Sequence, residues 1–355
     1  MRTRKQTRAE EEHAAEAISA SPTSATSPTV ASTKIEAPTS SPSTKHNDTQ
    51  SSAGRRSKLP TPVQFPLVAI LSLSLSALGH SLAWPYTKGA LGAYSRVLET
   101  WTEVGLVTGW KLFELALGWF GDYDGYDITA LNFLSHGPFL YLLFAFYQIQ
   151  PAALVLTIAI ETLATYIPFR LLRPLSTAHA DPHAAPNADI VTDRPIAVLT
   201  ALLAGAIYSV ALLLAYAIYL PQYLVVYFAD LPSVAAAHET TYVNLLPVAL
   251  ALGFAARAFV FTPAEATERP NAEPFDPVVA TLAETIRWNF WGWSAPAKVV
   301  ILRTALLALV TGANTFLQTR FTLEGVETPG ALAWTSVWVF AATATGLGLG
   351  AVGSG

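Results

Sequence analysis

The chain has 355 residues, of which 52% are hydrophobic and only 13% charged, with a formal net charge of −4. Soluble domains carry about 25% charged residues, so the body of this protein is not built for water. Nine of its 21 Lys and Arg residues fall before residue 60, which leaves no basic surface for nucleic acid beyond the tail. The absence of cysteine excludes disulfides, thiolate catalysis, Cys-ligated zinc and palmitoylation.

Residues 1–60 are dominated by Ser, Thr, Ala and Pro and contain no aromatic residue. Such a segment cannot offset its ordering entropy and reads as a disordered cytosolic tail. Glu10, Glu11, Glu12 and Glu16 argue against a mitochondrial presequence, and the late first apolar run argues against a signal peptide. Arg55, Arg56 and Lys58, directly before the first apolar run, place the tail in the cytosol by the positive-inside rule.

Residues 61–355 consist of long apolar runs with short polar breaks, and a run of about 20 apolar residues matches the bilayer core. The fold class is all-α, a polytopic transmembrane helix bundle. Clear spans fall near Pro66–Trp84, Ile128–Tyr147, Ala152–Phe169, Ile196–Leu220, Tyr242–Phe261, Val299–Leu317 and Leu332–Val352. An eighth, Val104–Phe120, is short and carries Lys111 and Glu114. If it spans, Arg170, Arg173, Arg194, Arg269, Arg287 and Lys298 share the cytosolic side, and the 221–241 loop opposite them has no Lys or Arg. This bias favours eight spans over seven, with both the N-terminus and the C-terminus cytosolic.

Two stretches read as interfacial helices, near 88–103 and 278–293. The first is either a surface helix or an extension of the second span. In the second, Trp288, Trp291 and Trp293 stand beside Arg287 and Lys298, a composition suited to the headgroup layer.

An ionisable residue within a span is a functional candidate by default. Lys111 and Glu114 are three apart, within pairing distance on one helix face. Glu161 lies mid-span with no cation on its own helix, and Arg257, beside the small face of Ala249 and Gly253, is its candidate partner. The competing reading lets Arg257 snorkel to the headgroups. Ser72, Ser76 and His80 form a polar stripe on the first span, Asn132 and His136 on the third before Pro138, and Arg303, Thr311, Asn314 and Gln318 on the seventh. Interhelical hydrogen bonding accounts for all three stripes, with a proton relay through His136 or His80 as the sharper option.

No metal site is expected. Pro182 breaks the helix that His179, Asp181 and His183 would need, and Asp122, Asp124 and Asp127 lack the closing Glu of a calcium loop, since Phe133 stands there. No P-loop, zincin helix, nucleophile elbow or dinucleotide fingerprint occurs, and no cofactor is implied. Three functions follow in order. The first is a non-catalytic scaffold or assembly partner of an internal membrane such as the endoplasmic reticulum, with the bilayer and other membrane proteins as partners. The second is a small-solute or proton-coupled carrier using Glu161 and Arg257. An intramembrane lipid-modifying enzyme comes third, because its acids and bases look dispersed.

Overall fold

A computed structural model describes residues 60–229, 231–268, 275 and 280–353. The tail and the basic cluster before the first span lie outside these residues. The described residues are helical, with two isolated bridges and no strand. The principal helices are α1 Thr61–Leu91, α2 Trp101–Phe120, α3 Gly125–Ala145, α4 Pro151–Leu172, α5 Arg194–Ile218, the short α6 Leu220–Tyr227, α7 Tyr242–Ala256, α8 Leu282–Trp291, α9 Ala295–Thr322 and α10 Thr328–Gly353. A π turn, Arg257–Phe261, and a last α turn, Thr262–Glu265, continue α7.

The helix starts are written locally. Pro62, Pro151, Pro195 and Pro296 occupy first-turn positions, where proline loses no hydrogen bond. Thr100 and Glu103 form a capping box on α2, and Asp124 caps α3 by accepting from the Tyr126 and Asp127 N–H groups.

Seven of these helices are long and apolar enough to cross a membrane. Of the other three, α6 and α8 are short, and α2 carries Glu103, Lys111 and Glu114. Chain geometry nevertheless makes α2 a traverse of the bundle. Phe65 at the start of α1 meets Phe120 at the end of α2, with ring centroids 5.3 Å apart. Trp119, also at the end of α2, meets Phe169 at the end of α4 at 5.9 Å. Midway along, Ser76 on α1 and Lys111 on α2 both reach Glu161 on α4. The start of α1, the end of α2 and the end of α4 therefore share one face of the bundle, here the near face. Since α1 leaves that face, α2 must return to it.

The later helices keep this alternation. At the far face Ser95 bridges Leu323 and Phe228 bridges Val326. At the near face Arg257 reaches Val191, and Glu265 at the end of α7 meets Asn187. The described residues make eight traverses of the bundle, and α1 begins at the face where α10 ends.

Two seams hold the second half together. On α5 and α7, Ala201, Gly205, Ala249 and Gly253 bring the backbones into contact: a β-carbon on Gly205 would stand 2.7 Å from the Ala249 carbonyl oxygen, and one on Gly253 would strike the Ala201 carbonyl. Between α9 and α10, Gly346 packs on Thr304. The interior beside these seams is aromatic. Trp334, Trp338, Tyr141, Tyr208, Phe146 and Tyr216 are buried in edge-on and stacked contacts. The Trp334 indole donates to the Pro138 carbonyl at 3.3 Å.

One expectation needs correcting. Residues 88–103 are not a separate helix. α1 runs through Lys88 to Leu91, the next nine residues are a turn and extended chain, and α2 begins at Trp101. Glu103 closes the α2 capping box and pairs with Arg96, whose guanidinium lies 2.6 Å from it.

Candidate functional site

The buried charges gather where α1, α2 and α4 come together. Lys111 Nζ donates to Glu161 Oε2 at 2.6 Å, Ser76 Oγ donates to Oε1 at 2.9 Å, and His80 Nε2 lies 2.8 Å from the same oxygen. The Lys111 and Glu161 side chains are 18% and 14% exposed, so water screens this pair little. Gly79 lets α1 approach closely enough for these contacts, its face resting on Ile160.

This overturns the expected pairings. Glu161 does not face Arg257, which sits near the near face at the first residue of the π turn and donates to the Val191 carbonyl at 3.3 Å. Lys111 reaches across to α4 rather than down its own helix to Glu114. Glu114 has the Trp110 indole N–H beside it, and its Oε2 is buried without a well-formed hydrogen bond.

These groups line a cavity of about 450 Å³ enclosed by α1, α2, α3, α4 and α9. Its polar lining includes Ser76, His80, Lys111, Glu114, His136 and Glu161. α9 adds Asn314 and Gln318, linked by a 3.0 Å bond from Gln318 Nε2 to Asn314 Oδ1. His136 Nδ1 faces the Asn132 carbonyl at 3.1 Å, so that nitrogen carries the proton. Asn132 turns toward α4 and donates to Thr165 at 3.4 Å.

A second cluster, not anticipated from the sequence, lies at the near face. Arg303 on α9 clamps Asp127 with bonds of 2.6 and 3.0 Å and donates to the Phe259 carbonyl at 2.8 Å, satisfying backbone inside the π turn. Its guanidinium also lies over the Tyr123 and Phe259 rings. Beside it His179 Nδ1 lies 2.7 Å from Asp124 Oδ2, which also accepts from the Ser176 N–H and hydroxyl at 2.9 and 2.8 Å. Asp124, Asp127 and His179 stand close enough together to hold a cation. Arg303 already neutralises Asp127, however, and His179 engages Asp124. The group is not a catalytic triad either, because Ser176 and Asp124 meet the same imidazole nitrogen. It ties the 173–193 loop to the starts of α3 and α9.

That tie is pH-dependent. Burial draws the His179 pKa down, but the hydrogen bond and charge of Asp124 outweigh it, and the net shift is upward. Burial likewise pushes Asp124 up, yet bonds from His179, the Asp127 N–H and Ser176 hold it well below the usual carboxylate range. The imidazolium's stabilisation is complete below its unfolded value of about 6.5 and is lost as pH rises through the higher folded value. The carboxylate's share is lost only in acid, below about 3.9. Thermal unfolding of the purified protein should therefore show a midpoint that declines as pH rises above about 6.5, and His179→Gln should flatten that decline.

Trp288, Trp291 and Trp293 belong to α8 and the turn after it. No residue of α8 is buried, and Leu282 and Phe290 are 78% and 77% exposed. Trp288 stacks on Phe275 at 4.8 Å. This helix joins α7 to α9 at the near face.

Comparison with known proteins gives one family. The family model described as the bouquet formation protein 3 C-terminal domain matches residues 193–347, under half of the chain, from the residue before α5 to the last turns of α10. No curated protein and no solved structure matches. The second half of this multi-pass membrane protein is thus similar to that domain, and the Lys111–Glu161 cluster lies outside the matched stretch.

Proposed function

We propose that the protein is a non-catalytic scaffold of an internal membrane, with α5–α10 as the unit that engages other membrane proteins. The observation that carries this reading is the character of the family-matched stretch. Its interior is closed by the α5–α7 and α9–α10 seams and the aromatic core, and a buried ion pair, Asp127–Arg303, binds it to α3. Its outer surface keeps large apolar side chains such as Leu199, Leu214, Phe340 and Leu347 exposed, a face for lipid or for another transmembrane helix. The description of the matching family, a bouquet formation protein, names an assembly process rather than a reaction, in keeping with this role.

The charge distribution supports a near face in the cytosol. Arg170, Arg173, Arg194, Arg287 and Lys298 belong to it, whereas Lys88, Arg96 and Arg320 lie toward the far face. Trp288, Trp291 and Trp293 on α8 then anchor the cytosolic leaflet.

A photoreactive amino acid placed at Leu199, Leu214, Phe340 or Leu347 in native endoplasmic-reticulum or nuclear-envelope membranes tests the scaffold reading. A discrete protein adduct of constant mass from these positions, and none from Leu82 on α1, is the expected result. Lipid adducts alone at every position would count against it.

A further inference from the structure

We propose that the cavity between α1, α2, α3, α4 and α9 binds a neutral lipid bearing a free hydroxyl group, such as a long-chain alcohol, a diacylglycerol or a sterol. Its volume, about 450 Å³, falls within the range of about 300–1,000 Å³ typical of small-molecule sites. Its walls are hydrocarbon: Leu73, Leu91, Leu140, Leu143, Ile158 and Leu317 surround the polar patch. A ligand that fills it must therefore be mostly apolar with one polar end.

The polar patch specifies that end. Three lining residues hold buried polar side-chain atoms without a well-formed hydrogen bond, Oε2 of Glu114, Nε1 of Trp110 and Nδ2 of Asn314, and the Trp110 indole N–H stands beside the Glu114 carboxyl. Leaving such atoms unpaired costs about 1–3 kcal/mol each in an apolar medium. The Gln318 amide occupies Asn314 Oδ1, so what Asn314 offers is a donor. Glu114 offers a carboxyl oxygen. A hydroxyl is both acceptor and donor, so it can answer the amide and indole N–H groups as well as the carboxyl. A phosphate head is disfavoured, since the cavity has no arginine and Lys111 is committed to Glu161 at 2.6 Å. An ammonium is disfavoured as well, because it carries no acceptor for Asn314. His80, with 44% of its side chain exposed, stands at the edge of the patch.

The full chain in phosphatidylcholine nanodiscs, with a diazirine-bearing hexadecanol probe and its phosphate and amine analogues of equal chain length, tests the assignment. The alcohol should label peptides of α1, α2 and α9 that line the cavity. Glu114→Gln and Asn314→Leu should each reduce that labelling several-fold, and Leu140→Trp, which fills the space, at least tenfold. Leu73→Trp fills it from another helix and serves if Leu140→Trp melts early. Four results would each overturn the proposal: no labelling of lining peptides, labelling indifferent to both tryptophan variants, equal labelling by the phosphate probe, or preference for the amine. The first would indicate a cavity that holds only water.

Discussion

Lys111→Met is expected to destabilise the protein by about 3–5 kcal/mol, because it leaves Glu161 as a buried charge held only by Ser76 and His80. Glu161→Leu strands Lys111 in the same way and should cost a similar amount. Removing both charges together should recover most of the loss, since a buried pair replaced by apolar side chains of similar volume is often neutral or better. Unfolding by SDS titration in mixed micelles, read as a double-mutant cycle, measures this. A double variant as unstable as the sum of the two singles would mean the side chains act independently. The carrier interpretation treated Glu161 as a working residue partnered by Arg257. In the structure its partner is a lysine on a neighbouring helix, and Arg257→Gln should therefore leave the cycle unchanged.

Gly253→Leu should be the most damaging substitution in the second half. A side chain there meets the Ala201 carbonyl and the Gly205 amide nitrogen, which are backbone atoms of α5 and have nowhere to move. Overpacking typically costs about 1–3 kcal/mol where side chains can adjust, and here they cannot, so the loss should reach or exceed that upper value. Gly105 provides the contrast. A β-carbon at Gly105 meets nothing within 4 Å, so Gly105→Ala should be neutral or stabilising through helix propensity. Monodispersity on size-exclusion chromatography and thermal midpoints of the two variants make the comparison. Equal behaviour would argue against a backbone-contact seam.

The apolar runs were readable because a membrane span is a local property of about 20 residues. The small face of Ala249 and Gly253 was readable for the same reason, although nothing local named α5 as the helix that packs on it. Partners across helices were not legible. Spacing along the chain suggested Lys111 with Glu114, but Lys111 bonds a residue 50 positions away, and which helices adjoin is decided by packing. Asp127 and Arg303 are 176 residues apart, and Asp124 was set aside because it failed a calcium-loop pattern when its role is to cap α3 and hold His179. A sharper hint was present at Asp127: an acid at the start of an apolar helix gains from a cation beside it, and Arg303 was the only Lys or Arg within the seventh apolar run, Val299–Leu317.

The central claim is that α2 traverses the membrane, which puts the Lys111–Glu161 pair at mid-depth and gives the chain eight crossings. The protein has no cysteine, so single-cysteine labelling has no background. Val97 and Asp122 flank α2, and their side chains are highly exposed, 80% for the residue and 95% for the side chain respectively. In sealed microsomes treated with a membrane-impermeant maleimide, Asp122→Cys should react from outside and Val97→Cys only after the membrane is opened. Reaction of both from the same side would contradict the account, since α2 would then lie on the surface and every later loop would change sides.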